Sequence, residues 1–301
     1  GHQYFGWAPT GGTNTGSFEP SKLQVKQGGM DVLADTTIEY NLQPPFEQAS
    51  DYTPPTPPPP SERVVTGYEL MGTPRDGNLD AGHELGERVG SAVALSADGL
   101  VFAVGSSHYN PVGAVGQVGR VQMFQWDANA NDWEPRDIIV GAVHRDFSGN
   151  SVALSADGAV LAIGADDHDG MRGVVRVYDW NGVDKYELRE DPSNHLAGDM
   201  ASSRAGNAVD LSADGSIVAV AMSYHDINSQ KYQVGRAVVF MWNSSGRTWT
   251  QLGTDTDMQG VDSSDFFATS IALSDNGHVL AVGVSETEHP GPHDYSRGEV
   301  H

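Results

Sequence analysis

The chain has 301 residues, with 17 Lys and Arg against 40 Asp and Glu, a formal charge of −23, and no cysteine. A field of that sign repels phosphate backbones and anionic headgroups, which argues against nucleic-acid partners, and the lack of cysteine excludes disulfides, thiolate metal sites and thiol catalysis. No apolar run approaches the roughly 18 residues that a membrane-spanning helix needs, so no direct membrane insertion is expected of this segment.

In chain order, residues 1–53 read as a tail or as the end of a preceding β domain, with two short strand-like stretches around Gly28-Gly29. The run Thr53 to Pro60 (TPPTPPPP) favours extended polyproline II without hydrogen-bonded partners, so residues 54–61 read as a linker. Residues 62–301 form the repeat region. It opens with Val64 to Gly72 (VVTGYELMG), the pattern of a fourth strand without its first three, which is expected to complete the last unit of a ring.

From there the chain repeats itself. The segments GSAVALSADGLVFAVGS (Gly90 to Ser106), GNSVALSADGAVLAIGA (Gly149 to Ala165), GNAVDLSADGSIVAVAM (Gly206 to Met222) and ATSIALSDNGHVLAVGV (Ala268 to Val284) align without gaps. Their turn glycines Gly99, Gly158, Gly215 and Gly277 are 59, 57 and 62 residues apart. A third element follows in GRVQMFQW (Gly119 to Trp126), GVVRVYDW (Gly173 to Trp180) and GRAVVFMW (Gly235 to Trp242), and a shorter fourth in DWEPRDIIV, KYELRE and TWTQLG.

Each unit therefore reads as four short strands, the first two joined by Ala-Asp-Gly or Asp-Asn-Gly, where glycine supplies the positive φ of a tight hairpin. Strands rich in Val, Ile, Leu and Ala on both faces suit sheets covered on both sides. Four-stranded units packed face to face predict an all-β fold, a β-propeller of four-stranded blades, with a solenoid as the alternative. A seven-bladed ring at this period needs roughly 410 residues, so residues 62–301 are expected to hold about four blades of it.

The pattern around FSGNSVALSADGAVLAIGADD (Phe147 to Asp167) resembles the FG-GAP repeat of the integrin α-subunit propeller. That resemblance implies an extracellular or cell-surface adhesion module, often with calcium held between the first two strands by an Asp-x-Asp-x-Asp-Gly run. The present loop is only Ser-Ala-Asp-Gly, with Asp98, Asp157 and Asp214 as its sole carboxylates, and a cation wanting six or more oxygens is not satisfied there. The segment Val152 to Trp180 also looks like a WD repeat, whose usual period is about 40–45 residues; that likeness implies an intracellular protein-interaction scaffold.

In a propeller the loops joining strands two to three, and strand four to the next strand one, share one face. Histidines 108, 168, 225, 289 and 293 fall in the first kind of loop and 83, 144 and 195 in the second, eight of the eleven. Ligand-face candidates are His108, His168, His225, His144, His195, Asp226 and Asp265. Imidazole with carboxylate suits zinc, and carboxylates alone suit calcium. The metal candidates are Asp166, Asp167 and Asp169, three carboxylates in four residues, and Asp255, Asp257 and Asp262, which match part of a calcium loop but lack its closing Glu. No cofactor is required by this reading, with Ca2+ as the candidate ion. The bland alternative is that these are solvated loop residues.

Signatures of the nucleophile elbow, the zinc protease helix, the Walker loop and the dinucleotide fold are absent from the sequence. Trp126, Trp180 and Trp242, at one register, read as packing residues, and Arg176 and Arg236 in third strands as structurally paired, because a buried guanidinium needs a partner. Asn243-Ser244-Ser245 is a glycosylation sequon in a turn. The expected function is non-enzymatic recognition of a protein or glycan partner through the long-loop face, with a hydrolase centred in the ring as the lesser alternative.

Overall fold

The computed structural model describes residues 25–27, 30–32, 70–74, 86–111, 116–189, 196–228, 231–253, 258–287 and 297–300. The chain divides into two compact units, residues 1–5 with 11–71, and residues 6–10 with 72–301. In the first, β1 (Val25–Gln27) and β2 (Met30–Val32) pair antiparallel across Gly28-Gly29, where the sequence predicts two short strands.

The second unit is a series of antiparallel sheets whose spatial order follows the chain. The first contains β3 (Val89–Leu95), β4 (Val101–Ser106), β5 (Arg120–Asp127) and β6 (Asp132–Val140). The next contains β7 (Ser151–Leu154), β8 (Val160–Ala165), β9 (Val174–Trp180) and β10 (Tyr186–Leu188), with the two-residue β11 (Leu196–Ala197) also pairing β9. The third contains β12 (Val209–Leu211), β13 (Ile217–Met222), β14 (Arg236–Asn243) and β15 (Thr248–Leu252). The last contains β16 (Phe267–Leu273), β17 (Leu280–Thr287) and β18 (Arg297–Val300). All four sheets are meanders, as blades are. Between β8 and β9 the run His168–Met171 forms a single helical turn, α1, with Asp169 and Gly170 at positive φ.

The first two strands of each sheet close through one repeated device. In the second sheet Gly158 N–H donates to Ser155 C=O at 2.9 Å, and the glycine alone takes positive φ (+66°). The loop is a four-residue turn ending in a left-handed glycine. The turn carboxylates are consumed inside it: Asp157 accepts from Ser155 Oγ at 2.6 Å and from Ala159 N–H at 2.9 Å, and Asp98 and Asp214 repeat the pattern.

Apolar clusters lie between consecutive sheets. Val101, Ala103, Val121 and Met123 of the first sheet meet Val152, Leu161 and Ile163 of the second. Val160, Ala162, Val175 and Val177 on the opposite face of the second meet Val209, Leu211, Val218 and Val220 of the third. Phe267, Val282 and Val284 of the last sheet pack on Ala221 and Ala237 of the third. Because β8 is buried at every position, its sequence VLAIGA has no polar alternation.

Backbone bonds run between sheets with the sequence period. Ala97 N–H donates to Ala156 C=O, Ala156 N–H to Ala213 C=O and Ala213 N–H to Asp275 C=O, each at 2.8 Å. A methyl on Gly105 would overlap the Gly149 carbonyl oxygen, and one on Gly164 that of Gly206. The sheets therefore approach to backbone contact at this level, which demands the glycines of VFAVGS and VLAIGA.

Of the segment expected to complete a last blade, residues 64–69 lie outside the described residues. Residues 70–74 are not strand. Thr73 N–H donates to Asp132 Oδ1 on β6 at 2.8 Å.

Candidate functional site

Antiparallel meanders put the second-to-third loops and the loops between sheets at the same end. There a third-strand arginine ties each of three sheets to the loop that leads into it. Arg120 on β5 donates to Glu87 at 2.7 Å and its guanidinium lies 4.2 Å over the Tyr109 ring. Arg176 on β9 stands 3.5 Å from the fully buried carboxylate of Asp146, which also contacts His168 Nδ1. Arg236 on β14 donates to Asp199 Oδ2 at 3.0 Å, and His225 Nδ1 stands 3.2 Å from Asp199 Oδ1.

The positions vary while the pairing is kept. Asp146 precedes Gly149 by three residues, as Glu87 precedes Gly90, but Ser203 holds that place before Gly206 and the carboxylate moves to Asp199. The arginine moves as well, from three residues after Gly173 to one after Gly235. Asp146 Oδ2 further accepts from the N–H groups of Ala142 at 2.8 Å and Val143 at 3.3 Å, so its buried charge is fully engaged. The His225 side chain, with Arg236 assisting against partial burial, holds the Asp199 carboxyl at about 2, below its ordinary 3.8.

The residues singled out by sequence fall as follows. His168 and His225 join these clusters. His108 touches Ser107 Oγ at 3.1 Å and tilts on the Phe147 ring, and burial, with Arg88 nearby, pushes its imidazole below the ordinary value. His144 is exposed against Gly116. Asp226 accepts from Gln233 N–H at 2.6 Å, and Asp265 from Val261 and Asp262 N–H at 2.9 and 2.8 Å. His195, Asp255 and Asp257 lie outside the described residues, as do histidines 83, 289 and 293.

The carboxylates offered for a cation go to different arginines. Asp166 meets Arg204 at 3.2 Å, Asp167 meets Arg145 at 3.0 Å, and Asp169 meets Arg172 at 3.7 Å. Asp262 stands 3.7 Å from Lys231. Among the described residues no three His, Asp or Glu side chains group as a metal would need. Burial raises the Asp166 carboxyl above 3.8 and the Arg204 guanidinium opposes that shift.

At the outer margin sequence reasoning gave the three tryptophans as packing residues but not the arginines, Arg136 and Arg189, that reach two of them. Trp126 faces Trp133, Trp180 faces Tyr186 and Trp242 faces Trp249 as cross-strand pairs, with ring centroids 5.1–5.2 Å apart. Between the first two sheets a groove of about 520 Å³ is lined by Trp126, Glu134, Arg136, Trp180 and Asp184. The signal was an arginine in the fourth strand, in EPRD and ELRE, at a place where a neighbouring Trp offers a ring face. No helix among the described residues is long and apolar enough to cross a membrane.

No protein-family model matches this chain, and no curated protein matches it.

Proposed function

We propose that the chain is a non-enzymatic recognition module of β-propeller type that takes a protein or glycan partner on its long-loop face. The observation that carries this reading is the repeated tie between third-strand arginine and loop carboxylate in three sheets. It holds the loops at one end in place without a ligand, and a surface ordered in advance loses less entropy on binding. On that end Arg145, His144, Asp169 and Arg172 are exposed in mixed charge, a pattern suited to selecting a polar partner. The FG-GAP-like repeat supports an extracellular or cell-surface setting.

The test compares Arg145→Glu/Arg172→Glu on the loop face with Lys185→Glu near the opposite hairpins, each probed on a glycan array and on intact cells. Loss of binding in the first variant alone supports the reading. Binding that depends on Lys185 instead, or hydrolysis of any glycan on the array, would sink it.

A further inference from the structure

The first and second sheets carry an arginine at the same register of their fourth strands, three residues beyond the aromatic that pairs with the third-strand Trp: Arg136 after Trp133, and Arg189 after Tyr186. Their donors are satisfied differently. Arg189 is 7% exposed; it donates to Asp179 of its own third strand at 2.9 Å and to the Gly215 carbonyl of the next sheet at 2.6 Å. Arg136 has neither partner. Exposed Gln125 stands directly before Trp126, where Asp179 stands before Trp180. The Gly158 carbonyl, equivalent to that of Gly215, is taken by the Tyr186 hydroxyl at 2.5 Å, whereas in the third sheet Trp249 holds the place of Tyr186 and the carbonyl goes to Arg189. Arg136 is left half-buried over Trp180, with Nε closed off without a partner and the guanidinium in no ion pair among the described residues.

A carboxylate beside it shows the same contrast. Glu134 lies across from Gln125, as Glu187 lies across from Asp179. Glu187 meets Lys185 Nζ at 3.1 Å, but Glu134 is exposed and in no ion pair among the described residues. Arg136 and Glu134 both line the groove of about 520 Å³ between the first two sheets, together with Trp126, Pro135, Val183 and Asp184. That volume falls within the range of about 300–1,000 Å³ usual for small-ligand sites. An anion entering here would meet Glu134 and Asp184, and a cation would meet Arg136, so the complement to this lining is uncharged. It must accept from a guanidinium and donate to a carboxylate, and a hydroxyl does both. Exposed Pro135 and Val183 and half-buried Trp126 add apolar surface for the C–H face of a ring.

We infer that this groove is a binding site for a neutral saccharide, whose hydroxyl oxygens accept from Arg136 while a hydroxyl donates to Glu134. The ligand supplies to Arg136 what Asp179 and the Gly215 carbonyl supply to Arg189. The second interface offers no such site, because its arginine and its glutamate are already engaged. The groove lies at the end of the third strands away from the long loops, so the inference stands apart from whatever the long-loop face binds.

The test is saturation-transfer NMR of the 301-residue chain with the methyl glycosides of glucose, galactose, mannose and N-acetylglucosamine, and with methyl glucuronide as the charged comparison. The informative variant is Gln125→Asp, which gives Arg136 the internal carboxylate that Arg189 has and so closes the site. Gln125 and Glu134 are exposed, so Gln125→Asp and Glu134→Ala should keep the fold, as circular dichroism will check. At least one neutral glycoside is expected to bind the unaltered chain. Each of the two variants should weaken it by about tenfold or more, the loss of a hydrogen bond to a charged group, and Arg145→Glu/Arg172→Glu on the long-loop face should leave it unchanged. No binding by any neutral glycoside, binding by the glucuronide alone, binding that survives Gln125→Asp in the folded chain, or binding lost with the loop-face variant overturns the inference; the last result would move the saccharide to the loop face.

Discussion

The guanidinium of Arg136 lies 4.0 Å over the ring of Trp180, reaching from the fourth strand of one sheet to the third strand of the next. Arg189 repeats the reach over Trp242 at 5.4 Å and also donates to the Gly215 carbonyl at 2.6 Å. The outer margin is thus fastened by cations on ring faces where the inner strands are fastened by aliphatic packing. It also follows that the face of Trp180 is already occupied, as a packing residue's should be.

Removing that cation is expected to loosen the first interface. Arg136→Ala should cost about 0.5–2 kcal/mol, the range for exposed to desolvated cation–π pairs. Urea unfolding would show a lower midpoint at unchanged slope. Arg136→Lys should recover only part, since an ammonium does not stack as a planar guanidinium does. A midpoint unmoved by both substitutions would deny the pair any role.

Gly164→Ala should cost about 1–3 kcal/mol, the range for overpacking, because the added methyl overlaps the Gly206 carbonyl of the next sheet. Gly86→Ala is the control: its Cβ would meet nothing, and its melting temperature should stay near that of the unaltered chain. The third sheet carries Ala221 at the position of Gly164, opposite Ala268 rather than a glycine, so that interface has settled around its methyl groups. Equal stability of Gly164→Ala and Gly86→Ala would refute the close approach.

Acid should weaken the third sheet's loop through Asp199. Its folded value, about 2, lies below the ordinary 3.8, so its contribution is fully present above about pH 4 and is lost as pH falls through about 2. Asp166 works the other way: its raised value means that its charge disfavours the folded state, and protonation on acidification relieves this. Asp199→Asn should therefore flatten the stability profile between about pH 4 and 2, whereas Asp166→Asn should act only above about pH 4, where it removes the gain that protonation of the folded state brings on acidification. Parallel profiles for Asp199→Asn and the unaltered chain would remove Asp199 from the account.

What the sequence made legible is whatever repeats. The turn glycines, the third strands ending in Trp and the need of Arg176 and Arg236 for partners all appear in the fold, because each answers to local chemistry or to burial at a fixed register. The partners themselves were not legible. Asp146 and Asp199 lie in loops, at unequal distances from the glycine that follows, and only the meander brings them beside Arg176 and Arg236. In the run Asp166 to Gly170, likewise, density of carboxylate along the chain says nothing of the arginines, Arg145 and Arg204, that neighbouring loops place against it.

The buried cluster of Asp146, His168 and Arg176 allows the sharpest test of that coupling. Asp146→Ala leaves a buried guanidinium and two loop N–H groups, those of Ala142 and Val143, without their acceptor. Breaking a buried pair from one side costs about 3–5 kcal/mol, so this variant should be among the most damaging single changes in the second sheet. Asp146→Asn keeps an acceptor for the loop but not the charge, and should fall between. Arg176→Met together with Asp146→Asn removes the stranded cation and fills its space, so the double variant should be more stable than Asp146→Asn alone. Chemical unfolding of the unaltered chain, Asp146→Asn, Arg176→Met and the double variant gives the coupling directly. Simple additivity of the two substitutions would mean that the arginine and the carboxylate do not depend on one another, and that the tie between third strand and loop holds nothing in place.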